Sequence, residues 1–147
     1  MIQLATVSHL PEVNLDCGAW VSRRIWGTDN RFEKYFSFSV FRDGEQIAGV
    51  ILHNWDEDAG VIEISAAGSG NWQSRRLINQ VFNTCFDVMG CQMVMMRGMV
   101  GNDPMLRNSE QLGFSAIMVP RLGGRTQDVV LFFLTDDDWR ASRFRKE

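Results

Sequence analysis

The spacing of apolar residues changes along the chain, and each change marks an element. Over residues 12–26, Val13, Cys17, Trp20, Val21 and Ile25 recur at helical spacing. This predicts a helix, with Gly18 as its weak position, about 1 kcal/mol poorer than Ala. Residues 35–42 (YFSFSVFR) alternate with period two. Phe36, Phe38 and Val40 fall on one face and Ser37 and Ser39 on the other, as in a strand. Asp43-Gly44 is a hairpin signal, so residues 45–55 read as the return strand. A second turn at 56–60 leads to a third strand, VIEISAA, at 61–67.

The period then returns to helical. After the loop Gly68-Ser69-Gly70-Asn71-Trp72, residues 73–89 place Leu77, Ile78, Val81, Phe82, Cys85, Phe86 and Met89 on one face, and Gly90 is a stop signal. CQMVMM at 91–96 reads as a short buried strand. Pro104 sits in the first turn of a helix at about 103–112. Strands at about 114–119 and 128–134, separated by Gly123-Gly124, complete the pattern, and Asp136-Asp137-Asp138-Trp139 opens a short last helix. The order is helix, three strands, helix, strand, helix, two strands. The segment 61–96 is thus a strand, crossover helix and strand, expected to be parallel and right-handed. A ligand is expected at the carboxyl end of the strand entering such a crossover.

Composition narrows the function classes. The 147 residues suit one domain, and 45% hydrophobic residues suffice for a core. A formal net charge of −3 is not that of a general nucleic-acid binder. The three cysteines, Cys17, Cys85 and Cys91, have no metal-ligand spacing, and an odd number fits no closed disulfide framework. Free thiols point to a reducing compartment, hence the cytoplasm. MIQLATVSHLPEV lacks the basic and apolar regions of a signal peptide. No apolar run approaches the length of a membrane span.

Two motifs carry a resemblance. Asn102 is followed eleven residues later by Gly113-Phe114 in NDPMLRNSEQLGF, and VIEISAA runs through a loop into QSRRLINQVF. Together with the element order they resemble the GNAT N-acetyltransferases over residues 36 to 134. The form GNWQSRR is similar to bacteriophage and prophage members. The resemblance implies an α/β (α+β) fold, a mixed, mostly antiparallel twisted sheet of about six strands with helices on both faces. It implies a single acyltransferase domain over 1–147, with acetyl-CoA as co-substrate. The acceptor would be a small-molecule or protein amine, with no membrane partner. Nucleic acid is not favoured as a partner, and a homodimer stays open. In the family's pyrophosphate loop, Q/R-x-x-G-x-G/A, this chain has Ser69, Trp72 and Ser74 at the three specified positions. Where the family often has an acidic tyrosine it has Ser109, and its one tyrosine is Tyr35.

The chemistry expected of these residues follows. A helix N-terminus offers unpaired N–H groups and partial positive charge to a diphosphate. Gly70 allows close approach and Asn71 is a capping residue. Trp72, Gln73 and Ser74 belong to the same loop, and Arg75 and Arg76 add charge-assisted bonds. The rival reading is a solvated basic turn, with Trp72 merely packed. By resemblance, the main chain of Ile64 and Ala66 pairs with the pantetheine arm, and Asn102 contacts the cofactor or caps the next helix. Glu63 resembles the family's general base and shares a face with Val61 and Ser65. Against this stands an exposed strand glutamate. Ser109 stands at the acid position, otherwise a plain helix serine. His53, in LHNW, is a second base or acid, or a packed histidine. Direct attack by the amine is expected, since no Cys/His nucleophile pair is visible. Two other functions share this fold in outline: nucleobase modification of the Mom type known from Mu-like phages, faintly suggested by N-x-x-S-R, and a catalytically silent binding or virion-associated protein.

Overall fold

A computed structural model describes residues 2–5, 11–69, 72–99 and 103–144. They belong to two compact units, Met1–Trp55 with Glu63–Ile78, and Asp56–Ile62 with Asn79–Glu147. The first unit begins with β1 (Ile2–Ala5), paired antiparallel with the edge of β2 (Tyr35–Arg42). Between them runs α1 (Pro11–Trp26), with proline in its first turn and Arg23 and Arg24 in its last. Gly27, at φ +76°, closes the helix by donating its N–H to the Arg23 carbonyl at 2.8 Å. β2 turns into β3 (Glu45–Asp56) through Asp43 and Gly44, at φ +52° and +84°. These left-handed values are those of a primed hairpin turn. β4 (Val61–Gly68) neighbours β3.

Helix α1 lies directly on β3. A β-carbon on Gly49 would come within 2.5 Å of Val21 Cγ2 and 3.0 Å of Cys17 Sγ. Glycine here permits the close approach that buries Cys17, Val21 and Ile51, with Trp20, Phe32, Tyr35 and Ala67 packed around them. With this cover, both faces of β2 are buried. Ser37 and Ser39 are buried beside Phe38 and Val40, while Phe36 is exposed. Asn14 of α1 compensates the buried hydroxyl: Ser37 Oγ donates to Asn14 Oδ1 at 2.6 Å.

The second unit holds most of α2 (Arg75–Asn83), which passes into a π-helical turn at Thr84–Val88. The continuous α-helix expected to residue 89 is thus interrupted. Thr84 Oγ1 donates to the Gln80 carbonyl at 2.7 Å where the ladder changes. β5 (Met93–Met99) pairs antiparallel with β7 (Gln127–Thr135), and β7 with β6 (Ser115–Gly124). β6 continues through Gly123-Gly124, the turn that the sequence predicts; the turn lies at Arg125-Thr126. α3 (Asp103–Leu112) precedes β6, and α4 (Asp136–Ala141) follows β7. The Thr135 side chain accepts the Asp138 N–H and caps α4. Trp139 of α4 is fully buried, within 6.4 Å of the Phe86 ring and 5.0 Å of the Phe82 ring. Arg140 pairs with Asp136 at 3.1 Å, one helical turn away.

All six expected strands are present, and β1 adds a seventh among the described residues. The architecture is the expected α/β class, a mostly antiparallel sheet with four α-helices. No described helix is long and apolar enough to cross a membrane.

Candidate active site

β3 and β4 bring three sequence-predicted or adjoining polar residues together in the first unit. His53 Nε2 lies 2.8 Å from Ser65 Oγ and 3.8 Å from Glu63 Oε2. The His53 and Glu63 side chains are only 10% and 8% exposed. An exposed strand glutamate is therefore not what β4 carries. Burial of a carboxylate requires polar partners, and Asn54 Nδ2 donates to Glu63 Oε1 at 3.1 Å. In one imidazole tautomer His53 donates to Ser65; in the other the Ser65 hydroxyl donates to His53.

Asn54 was not singled out from the sequence. Strict alternation along β3 sends it to the face opposite His53. Its φ of +54° breaks the alternation and brings its amide to the carboxylate. Asparagine is among the few side chains that tolerate this region.

One aromatic ring from the segment after α1 covers the cluster. Phe32 meets the His53 imidazole edge-on with centroids 4.9 Å apart, and contacts Tyr35 at 5.9 Å and Trp26 at 5.3 Å. Tyr35 is the register partner of His53 across β2 and β3. Burial, and then the neighbouring Cys17, push the Tyr35 phenol above its ordinary pKa. Burial likewise raises the Cys17 thiol, against the opposing hydrogen bonds of Ser39, Ser37 and Gln46. Both groups therefore stay protonated near neutrality.

At the carboxyl end of β4 the chain turns toward α2. Ile64 is buried and Ala66 exposed on the strand. Ser69 donates its N–H to the Ile47 carbonyl at 3.0 Å. Trp72 folds back against the strand end. A β-carbon on Gly68 would lie 2.6 Å from Trp72 Nε1 and 2.8 Å from Ala48 Cβ. The indole thus has a packing role. Ser74 caps the helix, its Oγ accepting the Leu77 N–H at 3.1 Å while its carbonyl accepts the Ile78 N–H. Gln73, Arg75 and Arg76 are exposed at this positive end. Gly70, Asn71 and Asn102 lie outside the described residues. Ser109 belongs to the second unit, where it is 2% exposed near the end of α3, not on the helix surface.

No family model and no curated protein sequence matches the chain. Solved acetyltransferases share its fold. Variant forms of the spermidine/spermine N-acetyltransferase SpeG from Vibrio cholerae superpose with a TM-score of 0.71 at 15% identity, covering 96% of this chain and 98% of theirs. A GCN5-related N-acetyltransferase from Brucella melitensis gives 0.69 at 20% identity, over 95% of this chain and 78% of its own. A structure described as a probable acetyltransferase gives 0.61 at 18% identity, and the chain spans only 64% of its length. At these identities the likeness is one of fold.

Proposed function

We propose that this protein is an acyl-CoA-dependent N-acyltransferase that passes an acetyl group from acetyl-CoA to an amine by direct attack. The acetyltransferases that share the fold support acyl transfer in general. The observation that carries the reading is the buried Glu63 carboxylate, held by Asn54 at 3.1 Å beside His53. It lies on the strand whose end runs into the Ser74-capped start of α2.

The donor set at that helix start suits an anionic diphosphate. Two exposed guanidinium groups, Arg75 and Arg76, stand on the first turn, where the helix dipole is positive. When bound, the thioester would supply an electrophilic carbonyl carbon, to which the amine nitrogen would bond as the carbon–sulfur bond breaks, sulfur leaving with the electron pair and taking up the second proton that the nitrogen sheds. Glu63 accepts the proton that the acceptor's ammonium must lose before its nitrogen can attack. Asn54 fixes the carboxylate so that it meets the substrate in one orientation. His53 and Ser65 form the second proton-holding pair beside it, 2.8 Å apart. Ser109, buried in the other unit, is assigned no step.

Two measurements test this. Acetyl-CoA at 100 times its Kd should stabilise the fold by about 2.7 kcal/mol, read as a rise in melting temperature. Glu63→Gln keeps the shape and the Asn54 contact atom but removes the base, and should lower kcat by about 10²–10⁴ with acetyl-CoA binding unchanged. No thermal shift at millimolar acetyl-CoA sinks the proposal, as does full activity in Glu63→Gln.

A further inference from the structure

We propose that Cys85 and Cys91 form a reversible disulfide that pins the junction between the π-helical turn ending α2 and β5, a redox device independent of the acyltransferase reading. The two residues already meet through the backbone. Cys91 donates its N–H to the Cys85 carbonyl at 3.0 Å, across the turn at Thr84–Val88. Gly90, at φ +76°, reverses the chain just before Cys91. In hydrogen-bonded strand pairs such a contact sets Cα atoms about 5.5 Å apart, and a disulfide needs about 4.4–6.8 Å. Both side chains are buried, and both belong to the second unit. Burial, and then the charge of Cys91, push the Cys85 thiol up, so the sulfurs are near enough to sense each other.

The short separation decides what a bridge does. Closing so small a loop removes little entropy from the unfolded chain, so it is a weak permanent staple. Its effect is local. Met89 donates to the Thr84 carbonyl at 2.9 Å. Gln92 and Met93 donate to the Gly60 carbonyl at 2.8 and 3.3 Å, and Gln92 Nε2 donates to the Ala59 carbonyl at 3.1 Å. Opening the turn between the cysteines loosens this set, and a sulfur–sulfur bond across its base keeps it closed.

Access comes from the Cys91 side. Asp87, Val88, Gly90 and Gln92 are exposed, Val88 to 80%, so little must unpack before Cys91 meets solvent. The oxidant is a small disulfide such as glutathione disulfide. The Cys91 thiolate attacks one of its sulfurs, forming a mixed disulfide and releasing one glutathione thiolate, which takes up the proton that Cys91 lost. The Cys85 sulfur, losing its own proton, then attacks the Cys91 sulfur and expels the second glutathione, which leaves as a thiol. The protein gives up two electrons and two protons, and the small disulfide gains them. Cys17 is an internal control. It belongs to the first unit, where its thiol donates to the Phe38 carbonyl at 3.6 Å.

The test incubates the full chain with glutathione disulfide at mildly alkaline pH without denaturant, then alkylates it and maps it by mass spectrometry. We expect a mass lower by two hydrogens, a peptide cross-linked between Cys85 and Cys91, and alkylation at Cys17 alone, with dithiothreitol reversing the bridge. Hydrogen exchange at the Met89, Cys91 and Gln92 amides should slow at least about threefold on oxidation. In Cys85→Ala the second step is lost, so one glutathione should remain on Cys91. In Cys91→Ala, Cys85 should take up none. Should either variant fail to fold by circular dichroism, the parent's peptide map and exchange rates decide alone. A parent that keeps three free thiols, bridges only in urea, or holds glutathione on Cys91 without closing overturns the inference. So does a bridge that leaves exchange at these amides unchanged, because the junction is then not what it holds.

Discussion

Gly68 and Trp72 are fitted to each other: the place a β-carbon would take on the glycine is 2.6 Å from the indole nitrogen. The nearest atoms belong to a rigid ring and to Ala48, so little can give way. Gly68→Ala should therefore destabilise the fold by about 1–3 kcal/mol, measured by urea unfolding. Adding Trp72→Ala should recover part of that loss, because the two sites share one space. If Gly68→Ala unfolds like the parent, the indole does not rest on this strand. Trp72→Ala alone separates packing from ligand contact: packing predicts lower stability, ligand contact predicts weaker acetyl-CoA binding at unchanged stability.

Ser74 offers a second separation of fold from function. Its hydroxyl accepts the Leu77 N–H, so Ser74→Ala should cost about 1 kcal/mol of stability. Ser74→Asp retains a capping acceptor and should keep that stability. It also sets a negative charge at the helix start, beside Arg75 and Arg76. Under the diphosphate reading, acetyl-CoA affinity should fall at least tenfold in Ser74→Asp while melting temperature holds. Equal affinity in Ser74→Asp would place the phosphates elsewhere.

Much of this was legible in the chain, and the misses have physical causes. Periods of two and of about 3.6 gave β2, β3 and α1 to within a residue, because each is long and bounded by Asp-Gly, glycine or proline. β1 escaped because four residues of IQLA are too few to show a period. The two faces of β2 were legible, but not what covers them: alternation does not tell whether a face is solvated, and α1 lies on the serine side, burying Ser37 and Ser39. Glu63 was singled out by resemblance and by its strand position, while its burial beside His53 shows only in the structure. Asn54 was missed because one left-handed residue overrides alternation, and no composition signal announces it. Ser74 read only as a loop position; its capping role follows from its place three residues ahead of the amide it serves, as the spacing of an N-cap requires.

Buried thiols predict how the protein responds to alkali. Burial pushes Cys91 up to about 11 and raises Cys85 further, with Cys91 adding to the effect on Cys85. In the unfolded chain both ionise near the ordinary thiol value of about 8.5. Above that pH the unfolded state binds fewer protons than the folded one, so stability falls as pH rises. The contribution is complete below about pH 8.5, where both states are protonated, and declines through about 11 for Cys91. Urea midpoints should thus drop from pH 8.5 to 10.5, and Cys91→Ala should flatten the slope even if it lowers the midpoint at pH 7. An unchanged slope in Cys91→Ala would mean that this thiol is not protected by the fold.

Asn54 joins a backbone feature to the candidate chemistry, and two substitutions pull these apart. Asn54→Gly keeps the φ of +54° accessible but removes the donor to Glu63 Oε1. Asn54→Ala removes the same donor and adds the left-handed penalty of about 1–2 kcal/mol. Both leave the buried carboxylate short of a partner, a loss of about 1–3 kcal/mol. Urea unfolding should therefore rank the parent above Asn54→Gly, and Asn54→Gly above Asn54→Ala. Activity should respond differently. If Asn54 acts by orienting Glu63, kcat should fall by a similar factor, about tenfold or more, in both variants, since both lose the same hydrogen bond, while KM for the amine changes little. Should kcat follow stability instead, lower in the alanine than in the glycine variant, Asn54 serves the bend in β3 and not the carboxylate. Full kcat in Asn54→Gly would remove its positioning role altogether.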